Sequence, residues 1–320
     1  MFVTLCVEAI AVGITFLYGC VGEILTEKSG HLNLGIPGIM CAGAAGGCMG
    51  VAWYLGSLSS PDKANYLVVV LVAILMAALF AALLGAIYAF LTVSLRCNQN
   101  VTGLAITTFG VGLSTFLMEG KVNRDLLFHG GRIISKGMPF AENLGWFGKI
   151  FLSHGALVYL AIFIALAVAF YLKKTRSGLR LRAIGENPGA ADAAGISVTA
   201  QKYGAILIGS AIAGLGGMYY IMDSLCGSWE YGIEAMGWLA IALVIFTLWK
   251  PDLSIPGAIL FGGLYIAANY ITGVSFSQKE LLDLIPYVVT VVVLIVTSVL
   301  DSKENQPPAA LGLAYFREDR

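Results

Sequence analysis

The chain has 320 residues, of which 58% are hydrophobic and only 12% are charged, with equal numbers of cations and anions. Soluble domains are about a quarter charged, and half that share cannot cover the surface of a water-soluble protein of this length. These values exclude an ordinary soluble globular protein and predict an all-α protein that crosses a membrane several times.

Apolar runs alternate with shorter polar segments along the whole chain. A membrane-spanning helix needs about 20 apolar residues, and on this basis we predict about nine spans, with eight or ten also compatible. We expect residues 1–300 to form a single transmembrane domain and residues 301–320 to form a polar, poorly ordered tail. The predicted spans are 2–21, 39–56, 66–95, 101–118, 156–172, 203–222, 237–249, 255–271 and 281–300.

The distribution of charge predicts the orientation of the chain. Residues 173–202 carry six Lys and Arg against two acids, which is typical of a cytoplasmic loop. The next polar segment, residues 223–236, carries three acids and no Lys or Arg, so we place the two on opposite sides of the membrane. This puts the C-terminus in the cytoplasm and the loop at 119–154 outside, although that loop carries five cations.

The helical pattern is interrupted between the first two spans. Gly30, Gly35 and Pro37 break it, and Asn33 adds hydrogen-bonding groups. Broken helices at membrane depth often line the path of a transporter, provided that protein or water satisfies the freed backbone groups. A plain cytoplasmic turn explains the same residues equally well, and both interpretations stay open.

Four polar residues are candidates for a translocation path, with packing or capping as the competing explanation for each. Three neighbouring amides, Asn98 to Asn100 with Gln99 between them, would either cap the fourth predicted helix or line a polar pathway, and we favour the cap. The path candidates are Asn33, Thr107, Thr108 and Asn269.

The sequence lacks the common signatures of catalysis and of nucleotide binding. It contains no GxxxxGK[ST], GxSxG or HExxH pattern, and its six Cys and three His are not spaced as metal ligands. We therefore expect no catalytic residue, no metal, no cofactor and no nucleic-acid partner. Apart from Glu8, the first eight predicted spans hold no carboxylate of the kind that ion-coupled carriers commonly use, and the ninth holds only Asp283 near its start. The energy for any transport would then come from another source.

Four stretches of the chain together match a known family. They are GEILTEKSGHLNLGIPGIMCAGA (22–44), LRCNQNVTGLAITTFGVGLSTFL (95–117), TRSGLRLRAIGENPGAADAAGI (175–196) and GWLAIALVIFTLWKP (237–251). The chain resembles the permease subunits of ATP-binding-cassette importers for simple sugars and nucleosides. That family includes ribose-type and branched-chain amino-acid permeases, and the similarity is closest to the nucleoside branch.

The resemblance implies a type II-like importer permease, a multi-pass protein of the bacterial cytoplasmic membrane that is not itself an enzyme. ATP would be hydrolysed by a separate cytoplasmic ATPase. A second permease, non-identical in the nucleoside branch, would complete the path among the membrane lipids, and an extracytoplasmic binding protein would deliver a nucleoside or a simple sugar. The alternatives are another small polar solute, such as a branched-chain amino acid, and a stand-alone secondary carrier.

The resemblance also implies where the ATPase would bind. In such permeases the loop around residues 185–188 sits in a groove of the ATPase. Asn187 is suited to cap a helix that begins at Pro188. Two departures from the family are the absence of a cation at Gly189 and the acids without Arg in residues 228–238. The expected ATPase-coupling residues are Arg182, Gly185, Glu186, Asn187, Pro188 and Asp192.

Overall fold

A computed structural model of the chain describes residues 2–120, 122–271, 275, 278, 281–282, 284–300 and 306–316. These residues form 13 α-helices, and no β-strand occurs among them. Helices α3 and α10 each continue through one wider, π-helical turn. The helices are α1 (Phe2–Glu27), α2 (Ile36–Gly56), α3 (Tyr66–Ala89), α4 (Gln99–Met118), α5 (Arg124–Ile134), α6 (Gly145–Phe151), α7 (Ala156–Lys174), α8 (Arg176–Glu186), α9 (Pro188–Ala193), α10 (Val198–Tyr219), α11 (Ile233–Phe246), α12 (Pro251–Tyr270) and α13 (Ile285–Leu300).

Among the described helices, six are long and apolar enough to cross a membrane: α1 to α4, α7 and α10. Three shorter apolar helices, α11 to α13, follow them in the chain. The predicted all-helical membrane architecture is confirmed. The nine apolar helices coincide with the nine predicted spans, but length and composition identify only six of them as spans, so the number nine stays a prediction.

Small residues bring the central helices close together. Helix α2 packs against α3, α4 and α10, and its buried face consists largely of Gly and Ala. A Cβ atom placed on Gly43 would overlap the backbone of Gly214 in α10, as expected where membrane helices approach through small residues. On α3, Ala73 and Ala77 are buried, while Leu71 is exposed. The exposed leucine face of α3 is therefore the face suited to lipid.

The connecting segments gather at two opposite ends of the bundle. Helix α7, with 19 residues and a length of about 28 Å, joins them. Residues 122–155 lie at one end, where Cys226 contacts Gly131. Residues 28–35, helices α8 and α9 and residues 306–316 lie at the other. The predicted loops at 119–154 and 173–202 are thus at opposite ends, and the side that faces the cytoplasm remains a prediction.

The C-terminal tail differs from its prediction. Residues 306–316, which we name the C-terminal strap, pack on the rest of the protein. The expectation of a poorly ordered tail is wrong for this segment, because backbone groups of the strap hydrogen-bond to residues far away in the sequence. Residues 301–305 and 317–320 lie outside the described residues.

Candidate functional site: the coupling helices and the helix break

Helices α8 and α9, which we name the coupling helices, are each fixed at their start by a side-chain cap. The Thr175 hydroxyl accepts a hydrogen bond from the Gly178 amide at 3.0 Å. The Asn187 Oδ1 atom accepts one from the Ala190 amide at 2.9 Å, and Pro188 occupies the first turn of α9. The predicted cap and helix start at Asn187 and Pro188 are confirmed, as local sequence alone is sufficient to specify them.

The predicted coupling residues divide between two faces of these helices. Arg182, Glu186 and Asn187 are exposed. Asn187 lies on the outer face, whereas Arg182 and Glu186 border a cleft that Lys28 and Pro308 also line, and the Glu186 carboxylate accepts a hydrogen bond from the Ala309 amide of the strap at 3.4 Å. Gly185 is buried, and a Cβ atom there would overlap the carbonyl oxygen of Lys28. Burial lowers the pKa of Lys28, while the nearby Glu186 carboxylate opposes part of that shift. The outer face is available to a partner, whereas Gly185 serves the contact with the rest of the bundle.

The C-terminal strap holds the inner face of the coupling helices. The Ala310 amide donates to the Gly185 carbonyl at 2.9 Å, and the Gly312 amide donates to the Gly30 carbonyl at 3.2 Å. The Tyr315 hydroxyl donates to the Asp192 carboxylate at 2.8 Å. Asp192 is therefore held by the strap and does not lie on the open outer face.

Residues 28–35, which we name the helix break, connect α1 to α2 and are buried at the same end of the bundle. Asn33 is 0% exposed. Its backbone amide donates to the Glu23 carboxylate at 2.9 Å, and its Oδ1 atom accepts from the Gly35 amide at 3.0 Å. Protein groups thus satisfy much of this irregular backbone, as a low-dielectric environment requires.

Two neighbouring helices complete the support of the helix break. The Tyr88 hydroxyl of α3 donates to the Leu32 carbonyl at 2.6 Å, and the Leu32 amide donates to Gln99 Oε1 of α4 at 2.8 Å. The Thr107 hydroxyl donates to the Leu34 carbonyl at 2.7 Å. The helix break is therefore not a plain surface turn, and its place in a translocation path stays a prediction. It is a connection embedded among α1, α3 and α4.

Two buried carboxylates at the end of α1 were missed by the sequence reasoning. Glu23 and Glu27 are 0% and 3% exposed. The Trp249 indole N–H donates to the Glu27 carboxylate, which links α1 to the turn between α11 and α12. The prediction that Glu8 is the only carboxylate in the first span is wrong, because α1 continues to Glu27 and the predicted span ended at residue 21. The sequence did offer one sign of this pair: a spacing of four residues puts both acids on the same face of a helix.

The four path candidates do not form one site. Asn33 and Thr107 meet at the helix break. Thr108 is exposed on the outer face of α4, and its hydroxyl donates to the Leu104 carbonyl of the preceding turn at 3.1 Å. Asn269 is exposed near the end of α12, far from the break. The amide cluster caps α4, as favoured, because the Asn98 Oδ1 atom accepts from the Val101 amide at 3.1 Å.

The four family-like stretches converge on the helix break. Residues 22–44 contact residues 95–117 through Leu32 and Leu34, residues 175–196 through Lys28, and residues 237–251 through Glu27. Residues 5–294 match the model of the family described as "Branched-chain amino acid transport system / permease component". The chain belongs to this permease family. The resemblance drawn from the four stretches is confirmed.

The relatives are permeases of ABC transporters. The putative glucose ABC transporter permease protein TsgC13 of Haloferax volcanii is 29% identical over 93% of this chain and 92% of its own length. The nucleoside ABC transporter permease protein NupC of Lactococcus lactis is 30% identical over 87% of both chains. The guanosine ABC transporter permease protein NupQ of Bacillus subtilis is 28% identical over 93% of this chain and 92% of its own. A second permease of the same Lactococcus strain, NupB, is 27% identical over 60% of this chain and 52% of its own.

These findings fix the general role of the protein. It is a permease component of an ABC transporter, with nucleoside and sugar permeases among its homologues, and a multi-pass protein of the cytoplasmic membrane.

Proposed function

We propose that the chain forms one half of the translocation path of an importer for a nucleoside or a simple sugar, driven by a separate cytoplasmic ATPase. The observation that carries this proposal is the two-sided arrangement of the coupling helices. One side presents Asn187 to a partner, the exposed Arg182 and Glu186 border the cleft beside Lys28, and the buried Gly185 contacts the helix break at Lys28. Membership in the permease family and the printed functions of NupC, NupQ and TsgC13 support the substrate class.

The contacts suggest how ATP-driven motion would reach the membrane. An ATPase that closes on the outer face displaces α8 and α9, and the tight contact of Gly185 with Lys28 transfers the displacement to the helix break. Two hydrogen bonds connect this region to other helices. Trp249, between α11 and α12, donates to Glu27 next to the break, and Thr107 of α4 donates to Leu34 within the break. Close-packed groups of this kind pass on displacements because they have little room to deform. Movement of α4 and of the α11–α12 pair then opens or closes the path.

Substrate delivery and the second half of the path involve further partners. The binding protein would supply the substrate from outside, so that the membrane path needs only brief contacts with it. A non-identical second permease is favoured because two different permeases similar to this chain, NupC and NupB, occur in one Lactococcus strain. The exposed candidate Thr108 faces away from the bundle, where a second permease could approach α4.

A stand-alone secondary carrier is the competing function, and the buried Glu23 and Glu27 are the groups it would use. Their present contacts argue for a structural role, because Glu23 accepts from the backbone of the helix break and Glu27 accepts from Trp249. Both lie on the last two turns of α1, next to the coupling helices and away from the middle of the bundle.

The test is transport by a reconstituted complex. The chain is purified with whatever subunits accompany it, these are identified by mass spectrometry, and the complex is placed in liposomes with its binding protein. Uptake of labelled guanosine and labelled glucose is measured with ATP, without ATP and with an ATPase subunit made inactive. We expect uptake of one of the two solutes only with ATP and an active ATPase. Uptake by the isolated chain without an ATPase would contradict the proposal and favour the carrier.

A further inference from the structure

A polar cavity of about 230 Å³ lies at the junction of the helix break, the start of α10 and the C-terminal strap. His31 and Lys202 line its inner part, and each is 2% exposed. Arg96, Ser197 and Thr199 also line the cavity and are exposed, so they form its mouth. One water needs about 10–15 Å³ of such space, so the cavity has room for several waters. It is therefore large enough for a small ion.

Lys202 requires a partner that the described residues do not supply. No described residue accepts a hydrogen bond from its ammonium group or forms an ion pair with it. A buried, unpaired cation is costly by several kcal/mol, so a lysine in this position either loses its proton or binds an anion. The open cavity beside it is where an anion would be placed.

His31 is a second buried polar group at the cavity, and the Thr92 backbone is the group that interacts with its ring. Neither of its ring nitrogens makes a hydrogen bond of ordinary geometry to a described residue. Burial, with a smaller contribution from Lys202, lowers the pKa of His31 to about 3. The ring is then neutral at physiological pH and carries one N–H donor, for which the Thr92 backbone and a ligand in the cavity are the two available acceptors.

The start of helix α10 adds further donors. Helix α10 has 22 residues, and its first amides have no partner within the helix. The residue at its N-cap, Ser197, makes no side-chain capping hydrogen bond. The N-terminus of a helix attracts anions through these amides and through its dipole, and the hydroxyls of Ser197 and Thr199 lie beside them.

Three charged residues are among the described residues that line the cavity. Arg96 and Lys202 are cations, and Arg96 also lies over the Phe316 ring at 4.8 Å. Asp192 is the one carboxylate among the residues that line the cavity, and it accepts a hydrogen bond from Tyr315. Arg96 and Asp192 both interact with other groups, so Lys202 is the charged residue of the described lining that is left for a ligand. A buried ammonium group favours an anion that accepts several hydrogen bonds at once.

We infer that this cavity binds a phosphate-type oxyanion, with Lys202 as its charge partner and His31, Ser197, Thr199 and the first amides of α10 as donors. A tetrahedral anion with four oxygens matches donors that converge from several directions. The phosphate comes either from the solution or from the headgroup of an anionic phospholipid. A bound oxyanion would contact the helix break, the coupling helices and the strap together, since Asp192 and Tyr315 line the same cavity as His31. The inference does not depend on which substrate is transported.

The test measures binding of labelled orthophosphate to the full-length chain in detergent by equilibrium dialysis. We expect saturable binding that weakens roughly tenfold or more in Lys202→Met, because a charge-assisted hydrogen bond is lost. The matched control is Lys174→Met, which removes an exposed lysine at the end of α7 outside the cavity and should bind as the parent does. Asp192→Asn should bind more tightly, because it removes the one repulsive charge and keeps an acceptor for Tyr315.

A second arm separates the two sources of phosphate. Native mass spectrometry of the chain from nanodiscs with and without an anionic phospholipid shows whether a lipid is retained. Retention that is lost in Lys202→Met, with no binding of free orthophosphate, assigns the site to a lipid headgroup. If neither ligand depends on Lys202 or on Asp192, the inference is wrong and Lys202 is uncharged in its site. Should Lys202→Met fail to fold, as judged by thermal unfolding, the tighter binding expected of Asp192→Asn still decides the question.

Discussion

The helix break and the coupling helices lie in contact, yet they are stabilised in different ways. The break is irregular backbone that side chains of α1, α3 and α4 satisfy from several directions. The coupling helices are regular, end in local caps and touch the bundle through Gly185, a small apolar core around Ile184, and the C-terminal strap. Substitutions in the break should therefore lower the free energy of unfolding. Substitutions at the coupling helices should weaken the coupling between ATP hydrolysis and transport and leave the fold intact.

The largest effect is expected where the two regions meet. Gly185→Ala would push the coupling helices away from the Lys28 carbonyl, and such overpacking costs about 1–3 kcal/mol. We expect ATP-dependent uptake in liposomes to fall at least about tenfold. The matched control is Gly204→Ala in α10, where an added Cβ atom meets nothing within 4 Å. Equal uptake by the two variants would show that the contact between the coupling helices and the helix break is not needed for transport.

The second prediction concerns stability within the helix break. Glu23→Ala leaves the buried Asn33 amide without its acceptor, which costs about 1–3 kcal/mol. We expect a lower midpoint of thermal unfolding for the purified chain in detergent. Glu23→Gln keeps an acceptor oxygen and should unfold close to the parent. The pair also addresses the carrier hypothesis, because Glu23→Gln removes the ionisable group, and a carrier that depends on it would lose transport.

The third prediction concerns the C-terminal strap. Tyr315→Phe removes the hydroxyl that donates to Asp192, a hydrogen bond to a charged group worth about 1.5–3 kcal/mol when buried and less at this half-buried site. We expect uptake to fall severalfold while the chain still purifies with its partners. Deletion of residues 306–320 should act in the same direction and more strongly. A deletion variant with the uptake of the parent would show that the strap does not connect the two regions.

The smallest effect is expected at the cap of α9. Asn187→Ala removes the acceptor for the Ala190 amide, and loss of an N-cap costs about 0.5–2 kcal/mol. Hydrogen exchange should become faster in residues 188–193 and stay unchanged in α2. Asn187→Asp keeps an acceptor and should protect α9 as the parent does. Faster exchange throughout the protein would indicate that the coupling helices are part of the main folding unit.

Local features were predictable from the sequence, and contacts between distant segments were not. The cap at Asn187, the start of α9 at Pro188 and the apolar spans depend on neighbouring residues or on simple composition. The hydrogen bond between the Ala310 amide and the Gly185 carbonyl joins segments 125 positions apart. No pattern within either segment predicts this contact. The polar character of residues 301–320 as a whole predicted a poorly ordered tail, yet the backbone of the strap within it donates to carbonyl groups of the coupling helices and of the helix break.

The candidate path was the least predictable part. Thr107 and Thr108 are adjacent in sequence, but their side chains point to the buried and the exposed face of α4. Periodicity cannot assign the faces of a helix that is apolar all round. Glu23 and Glu27 were overlooked because the predicted span ended six residues before the helix does, and helix ends are the least certain part of such a prediction.

The central claim is that the contact of Gly185 with Lys28 connects ATP hydrolysis to the membrane path. The most direct measurement follows ATP hydrolysis and substrate uptake in the same liposomes, for complexes that carry Gly185→Ala or Gly204→Ala. We predict that Gly185→Ala keeps most of its ATP hydrolysis and loses its uptake, while Gly204→Ala keeps both. Full uptake by Gly185→Ala, or a parallel loss of hydrolysis and uptake, would contradict the claim.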